Sequence, residues 1–180
     1  MTERVIMAGF GGQGVMLLGK LLAEVAMEER MNVTFFPSYG TEVRGGTANC
    51  HVVVCDGEIF SPVVEDADSL IIMNEASYAR FHECLRPDGV MFYNSSMVRP
   101  EGGNGRCMPV PATDTAVRLG SMKVANMVML GAYNAMKDIV PDSKIIDVLR
   151  RSLTGRKAAL LEINRQALDR GREIYERSKR

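Results

Sequence analysis

Residues 5–15 read VIMAGFGGQGV, and this stretch decides the fold. Its first four residues form a short apolar run that ends at Gly9, which is typical of a buried parallel strand. Gly9, Gly11 and Gly14 then form a GxGxxG pattern, after which apolar residues recur at helical spacing. A strand, a glycine-rich turn and a helix in this order predict the first unit of a Rossmann-like fold.

The rest of the chain continues the alternation of strands and helices. Apolar and valine-rich runs predict strands at residues 32–36, 49–55, 69–73, 90–93 and 108–110. Helical spacing predicts helices at residues 75–84, 124–137, 142–152 and 157–177. Pro37 is expected to close the second strand, and Thr113 to cap a helix through its hydroxyl. This order predicts an α/β fold with a mixed, mostly parallel sheet, helices on both faces and C-terminal helices.

The dipeptide Asp56-Gly57 is a tight-turn signal between two possible strands. Residues 49–55 precede it and residues 58–61 follow it, so the sequence predicts a β-hairpin here. The hairpin would supply the antiparallel part of the mixed sheet. Neither an internal repeat nor a linker divides the 180 residues, and we therefore expect a single domain over residues 1–180.

The amino-acid composition restricts the kinds of binding partner that the sequence predicts. Lysine plus arginine and aspartate plus glutamate both total 22, so the charge balance does not favour nucleic acid or an anionic membrane. No apolar run approaches the roughly 20 residues of a membrane span, and the N-terminus lacks a leader pattern. We expect a soluble cytoplasmic protein. Residues 150–180 carry a net charge of +6, which is either a docking surface or a solvated helix face.

The cysteines and histidines do not form a metal motif. Cys50, Cys55, Cys84 and Cys107 lack the close spacing that zinc or an iron–sulfur cluster requires. The two histidines of the chain are isolated from each other as well. The sequence therefore predicts that this chain alone holds no metal and no cluster.

The glycine-rich turn is the first candidate binding site. Its residues are Gly9, Gly11, Gly12, Gln13 and Gly14. Glycines at this position let the backbone approach a phosphate at the helix N-terminus, or they permit tight packing of strand against helix. A dinucleotide site also needs an acidic residue at the end of the second strand, and that strand ends in FFPSY. The missing acid argues against NAD.

The second candidate site is the segment PSYGTEVRGGTANC, residues 37–50. We expect it at the ligand-binding edge of the sheet, beside the first glycine turn. Tyr39, Arg44, Gly45 and Gly46 are its candidate binding residues, because an arginine flanked by glycines can contact a phosphate or carboxylate through its planar fork. Alternatively, Arg44 pairs with Glu42 and merely fixes the loop.

Five segments in this order resemble the gamma subunits of 2-oxoacid:ferredoxin oxidoreductases, particularly the 2-oxoglutarate type. The segments are AGFGGQGV (8–15), SYGTEVRGGTANC (38–50), SPVV (61–64), Asn74-Glu75 and NMVMLGA (126–132). The resemblance covers nearly the whole chain and is most specific in the first two blocks. Thr41 departs from it, because such sequences commonly have proline there.

The resemblance implies a multi-subunit complex in which this chain is not active alone and supplies no catalytic residue. Thiamine diphosphate and magnesium would belong to alpha and beta subunits, and the iron–sulfur clusters to a delta subunit that serves ferredoxin. The glycine loops of this chain would face the shared cleft, where the phosphates of coenzyme A are plausible ligands. The alternative is a free-standing nucleotide-binding module, either a sensor or an NAD-linked reductase.

Overall fold

A computed structural model describes residues 1–39, 47–101 and 105–180, apart from the side chains of Tyr39, Thr47 and Arg156. Six strands form one sheet in the order β2-β3-β1-β4-β5-β6. The strands are β1 (Thr2–Phe10), β2 (Asn32–Tyr39), β3 (Thr47–Cys55), β4 (Ala67–Ile72), β5 (Leu85–Asn94) and β6 (Arg106–Val110). β3 is antiparallel to both of its neighbours, and the β1–β4, β4–β5 and β5–β6 pairs are parallel. The predicted mixed, mostly parallel sheet is confirmed.

Helices cover both faces of this sheet, as predicted. They are α1 (Val15–Glu28), α2 (Glu75–Phe81), α3 (Ala112–Arg118), α4 (Ala125–Lys137), α5 (Asp142–Ser152) and α6 (Leu161–Ser178). On one face, α1 and the C-terminal helices pack around Phe92 and Tyr133 in the larger core. On the other face, α2 packs Tyr78 and Phe81 against Ile6 and neighbouring strand residues. The central parallel strands β1 and β4 are consequently buried on both sides, which explains their almost continuous apolar sequence.

Two details of the predicted strands were wrong. Residues 58–61 are not a strand, because β1 and β2 occupy both edges of β3 and leave no edge for a hairpin partner. The antiparallel pairing comes from β3 instead. Pro37 does not end β2, which continues to Tyr39. A proline is tolerated there because β2 lies at the edge of the sheet.

Residues 58–66, here called the strap, cross the face of the sheet on the side of α2. Val64 is buried in the core of that face together with Val53. Its amide donates a hydrogen bond of 2.9 Å to Nδ1 of His51 on β3. Partial burial lowers the pKa of His51, which favours the neutral imidazole that can accept this bond. The strap is thus fixed to the sheet at its centre.

A buried carboxylate joins the sheet to α4. Glu3 on β1 is 6% exposed. One of its oxygens accepts hydrogen bonds from the hydroxyls of Ser69 at 2.6 Å and Tyr133 at 3.4 Å, and the other contacts Lys137 Nζ at 3.1 Å. Burial, followed by the charge of Glu3, raises the pKa of Tyr133 well above its usual range. Glu3 therefore connects β1, β4 and α4 in one polar cluster.

The helices α4 and α6 touch through their backbones. A Cβ placed on Gly171 of α6 would collide with the carbonyl oxygen of Val128 and lie 2.8 Å from the amide nitrogen of Ala132. A Cβ on Gly131 of α4 would collide in the same way with the carbonyl of Leu168. Glycine is therefore required at both positions for this helix spacing.

Candidate functional site

The sheet has a topological switch point between β1 and β4. The two strands are parallel neighbours, but α1 leads from β1 toward β2 on one side, whereas α2 leads from β4 to β5 on the other. In open α/β sheets, ligands bind in the crevice outside the carboxyl ends of such strands. Here that crevice holds a cavity of about 220 Å³. Its lining residues are Gly12, Gln13, Met73, Met97, Thr113, Met122, Lys123 and Ala125.

The glycines of the first turn divide into two kinds. A Cβ on Gly9 would lie 2.8 Å from Gln13 Oε1, and one on Gly14 would lie 3.0 Å from Asn126 Cγ. A Cβ on Gly11 or Gly12 would meet no described atom within 4 Å, and both residues are exposed. Gly12 and Gly14 also have φ values of 98° and 75°, which favour glycine. Packing thus accounts for Gly9 and Gly14, whereas the backbone at Gly11 and Gly12 is open to a ligand.

Gln13 closes the glycine turn onto the end of β4. Its Oε1 accepts hydrogen bonds of 2.7 Å from the Phe10 amide and 2.7 Å from Asn74 Nδ2. Its Nε2 donates to the Met73 carbonyl at 3.3 Å. Both polar groups of the side chain are therefore engaged within the protein. Asn74 follows β4 and also caps α2, because its Oδ1 accepts from the Ser77 amide at 2.9 Å.

A third strand end joins this network through Asn94, the last residue of β5. Asn94 Nδ2 donates to the Met73 carbonyl at 3.3 Å and to Thr113 Oγ1 at 2.8 Å. The prediction that Thr113 caps a helix was wrong. α3 begins one residue earlier, at Ala112, and the Thr113 hydroxyl accepts from Asn94 instead. The sequence signal for the network was an asparagine directly after each of two predicted strands, residues 69–73 and 90–93.

The second predicted block is only partly described. Arg44, Gly45 and Gly46 lie outside the described residues, and for Tyr39 the structure describes the backbone alone. The residues on either side of segment 40–46 lie in paired strands, however. Tyr39 pairs with Ala48, and Thr47 pairs with Phe10, which is the last residue of β1. Both ends of segment 40–46 thus start from the sheet edge that carries the glycine turn.

The crevice favours an anionic ligand. Lys123 lines it and is exposed, and the first turn of α1 lies at its border. The N-terminus of a helix carries partial positive charge and unpaired amides that attract phosphate or carboxylate groups. Among the described residues that line the cavity, none is acidic. Met73, Met97 and Met122 add an apolar surface that can adapt to the rest of a ligand.

The cysteines do not converge on this site or on one another. Cys50 and Cys55 lie at positions five residues apart on β3, which separates them by roughly 16 Å at the rise of a strand. Burial raises the pKa of Cys50 to about 12, so its thiol stays protonated. Among residues 1–39, 47–101 and 105–180, no three His, Cys, Asp or Glu side chains form a metal-binding group. No helix in these ranges is long and apolar enough to cross a membrane.

We expect replacement of Asn74 by alanine to destabilise the chain by about 2 kcal/mol, because it removes a helix cap and a buried hydrogen bond to Gln13. Asn74→Ser is the matched control, since serine can cap α2 but is too short to reach Gln13. It should recover about half of the loss. Urea unfolding measures both effects. An alanine variant as stable as the original chain would contradict the proposed cross-link.

Comparison with known proteins gives a family match over most of the chain. The family model described as pyruvate ferredoxin/flavodoxin oxidoreductase matches residues 4–174. The chain is 35% identical to the ketoisovalerate oxidoreductase subunit VorA of Methanothermobacter thermautotrophicus, over 94% of this chain and 36% of VorA. It therefore spans about a third of the length of that relative.

Other relatives match from end to end. The 2-oxoglutarate synthase subunit KorC of Methanothermobacter marburgensis is 32% identical over 97% of both chains. Among solved structures, the gamma subunit of a keto/oxoacid ferredoxin oxidoreductase from Geobacter sulfurreducens is 28% identical, with a TM-score of 0.83. That similarity covers 97% of this chain and 99% of the gamma subunit.

Proposed function

Because this chain belongs to the pyruvate ferredoxin/flavodoxin oxidoreductase family, we propose that it is the gamma subunit of a multi-subunit 2-oxoacid:ferredoxin oxidoreductase. The end-to-end similarity to a KorC subunit and to a solved gamma subunit supports this assignment. The complex would decarboxylate a 2-oxo acid oxidatively, transfer the acyl group to coenzyme A and pass the electrons to ferredoxin. The gamma chain would contribute to it without being active alone.

We propose 2-oxoglutarate as the substrate of the complex. The support is the KorC relative, which is named a 2-oxoglutarate synthase subunit and matches the whole chain. VorA is named for ketoisovalerate and is slightly more similar, at 35% identity. Assays of the purified complex with 2-oxoglutarate, pyruvate and 2-ketoisovalerate decide the question. A higher kcat/KM for either of the other two acids would contradict this choice.

In the proposed complex, the redox chemistry takes place on other subunits. Thiamine diphosphate with magnesium would be held by the alpha and beta subunits, and the iron–sulfur clusters by a delta subunit. The residues of this chain do not fit a cluster, because Cys50 and Cys55 are far apart along β3 and Cys50 is buried with a raised pKa. What the chain offers is a crevice with an apolar methionine surface and the cation of Lys123.

One observation supports a role in binding coenzyme A: two glycine-rich segments start from the same sheet edge. The open backbone at Gly11 and Gly12 lies on one side, and Thr47, which ends the arginine-bearing segment, pairs with Phe10 beside it. Lys123 borders the same crevice. Coenzyme A carries several phosphate groups, and backbone amides, a lysine and an arginine are their usual partners in proteins. We propose that Arg44 binds one of these phosphates.

The alternative function, a free-standing nucleotide-binding module, has less support. VorA is named as a subunit of an oxidoreductase and KorC as a subunit of 2-oxoglutarate synthase. In addition, β2 continues to Tyr39 without an acidic residue, so the ribose of a dinucleotide would lack its partner. Calorimetric titration with NADH and NADPH tests this alternative, and micromolar binding of either would revive it.

We expect Arg44→Ala to raise the Michaelis constant of the complex for coenzyme A by roughly ten- to a hundredfold. The reason is the loss of a charge-assisted contact worth about 1.5–3 kcal/mol. Arg44→Lys should recover only part of the effect, because an ammonium cannot reproduce the planar fork of the guanidinium. The measurement is steady-state kinetics of the reconstituted complex at varied coenzyme A.

The variant Glu42→Ala separates this role from a merely structural one. If Arg44 only fixes the loop through Glu42, both alanine variants should lower the melting temperature or impair assembly to the same degree. In that case the coenzyme A dependence of the assembled complex should stay unchanged. Such a result would refute the ligand role of Arg44 and leave the subunit assignment intact.

A further inference from the structure

The strap carries a large apolar side chain that is almost fully exposed to solvent. Phe60 is 92% exposed and Val63 is 46% exposed. Phe36 on the edge strand β2 is 44% exposed, and its ring lies against His51, the residue that fixes the strap through Val64. Phe36, Phe60 and Val63 are therefore apolar groups on the same half of one sheet face, here called the strap face. Exposed apolar residues that lie singly are ordinary, whereas several on one surface are typical of an interaction site.

The surroundings of the strap face are those of an interface. Two hollows flank the strap, one of about 370 Å³ beside Phe60 and one of about 610 Å³ beside Val64, and Arg4 lines both. Charges of both signs surround them, because Glu58, Glu65 and Asp66 also line the hollows. Protein interfaces commonly combine an apolar centre containing aromatic anchors with a polar rim. A protruding ring between hollows suits a partner of complementary shape.

No described helix covers this half of the sheet face. α2 packs on β1 and β4, whereas α1 packs on β2 and β3 from the opposite face. Within the part of the chain that the structure describes, the strap is thus the only cover over β3 on this side. β3 is antiparallel to β2 and β1, and antiparallel strands can face water on one side, but here that side carries the exposed rings of Phe36 and Phe60.

The VorA relative indicates what provides that cover. This chain corresponds to about a third of VorA, so in VorA the same domain is part of a longer polypeptide. KorC shows that the domain also exists as a chain of its own. For a domain that is fused to further chain in one relative and separate in another, we expect noncovalent binding to the equivalent of that further chain. Covalent fusion keeps the two parts at a high effective concentration. A separate subunit lacks this advantage and needs a larger interface to bind its partner.

We propose that the strap face, formed by Phe36, Phe60 and Val63, is the docking surface for the sister subunit that corresponds to the remaining two-thirds of a VorA-type polypeptide. This inference rests on the proposed function, because it assumes that the chain works within a complex. The sister subunit would receive the Phe60 ring in an apolar pocket. Its rim would carry charges of both signs opposite Arg4 and Glu58.

The test is assembly with the sister subunits encoded for the same complex, co-expressed with this chain. We expect Phe60→Glu to weaken binding to the sister subunit at least tenfold in titration or size-exclusion experiments, because it places a charge in a desolvated pocket. The matched control is Val117→Glu on α3, because Val117 is an apolar residue that is 57% exposed and α3 packs on the opposite face. That variant should assemble like the original chain.

Further measurements keep the outcomes distinct. Circular dichroism and melting temperature establish that Phe60→Glu is folded, and hydrogen exchange of the unaltered chain should show protection of residues 58–64 on complex formation. Normal assembly of Phe60→Glu, with no protection of the strap, would overturn the docking surface and leave the proposed function standing. Failure of the unaltered chain to assemble with any of the subunits would overturn the proposed function itself. The isolated chain could instead form a dimer that Phe60→Glu converts to a monomer without any effect on subunit binding. In that case the surface binds a second copy of this chain, and the proposal is overturned.

Discussion

Gly171→Ala is expected to destabilise the chain by about 3 kcal/mol, which corresponds to a fall in melting temperature of roughly 6–12 °C for a chain of this size. Alanine normally stabilises a helix interior relative to glycine by about 1 kcal/mol. Here the added methyl group would collide with the carbonyl oxygen of Val128. Because a backbone atom cannot rotate away, α4 and α6 would have to separate and lose packing. Urea and thermal unfolding measure the effect.

The contact offers both a partner variant and a control. Gly131→Ala should be similarly harmful, because it meets the carbonyl of Leu168 across the same helix pair. The double variant should cost less than the sum of the two, since either substitution already separates the helices. Gly57→Ala is the control, because its Cβ would meet only Cys55 Sγ, at 3.8 Å. A Gly171→Ala chain as stable as this control would show that the helices are not in backbone contact.

Lys137→Met is expected to destabilise the chain by about 2–3 kcal/mol at neutral pH. The substitution keeps the apolar length of the side chain and removes the cation that lies 3.1 Å from Glu3 Oε2. Glu3 is almost fully buried, so its carboxylate would lose the nearest opposite charge while remaining cut off from water. Equilibrium unfolding in urea provides the free energies.

A double-mutant cycle isolates the pair from other effects of the substitution. Glu3→Gln keeps the shape of the residue and removes its charge, so Lys137→Met should cost at least about 1 kcal/mol less in that background. Lys20→Met is the comparison on the surface, because Lys20 pairs with Glu24 at 3.4 Å but both side chains are solvated. It should change stability by less than about 0.5 kcal/mol. If Lys20→Met and Lys137→Met lowered the free energy of unfolding equally, the burial of Glu3 would not strengthen its pairing with Lys137.

Much of the fold could be predicted because the period of the apolar residues follows the secondary structure. The central strands β1 and β4 are buried on both faces and contain continuous apolar runs, and residues 142–152 were predicted as the helix that the structure contains. The errors arose where long-range contacts decide the local structure. Asp56 is held by the N-terminus and by the pairing of β1 with β3, and no local pattern encodes that contact.

The candidate site was predictable in position but not in detail. The glycine pattern located the sheet edge, because the phosphate-binding turn has a specific place between strand and helix. It did not distinguish the packed glycines, Gly9 and Gly14, from the open pair, Gly11 and Gly12, since that difference depends on Asn126 of α4 and on Gln13. Nor could spacing alone connect Gln13 to Asn74, which is 61 residues away.

The backbone contact between α4 and α6 has a consequence for how the chain is made. Gly131 and Gly171 lie forty residues apart, and a ribosome adds roughly 5–20 residues per second, so α4 emerges about 2–8 s before the helix that covers it. During this interval α4 can bury its apolar side chains against the sheet, but the surface around Val128 and Gly131 stays bare. Until α6 covers it, this surface can associate with that of a neighbouring nascent chain. Conditions that slow synthesis of residues 132–171 should therefore lower the yield of soluble protein more than the same delay placed after α6.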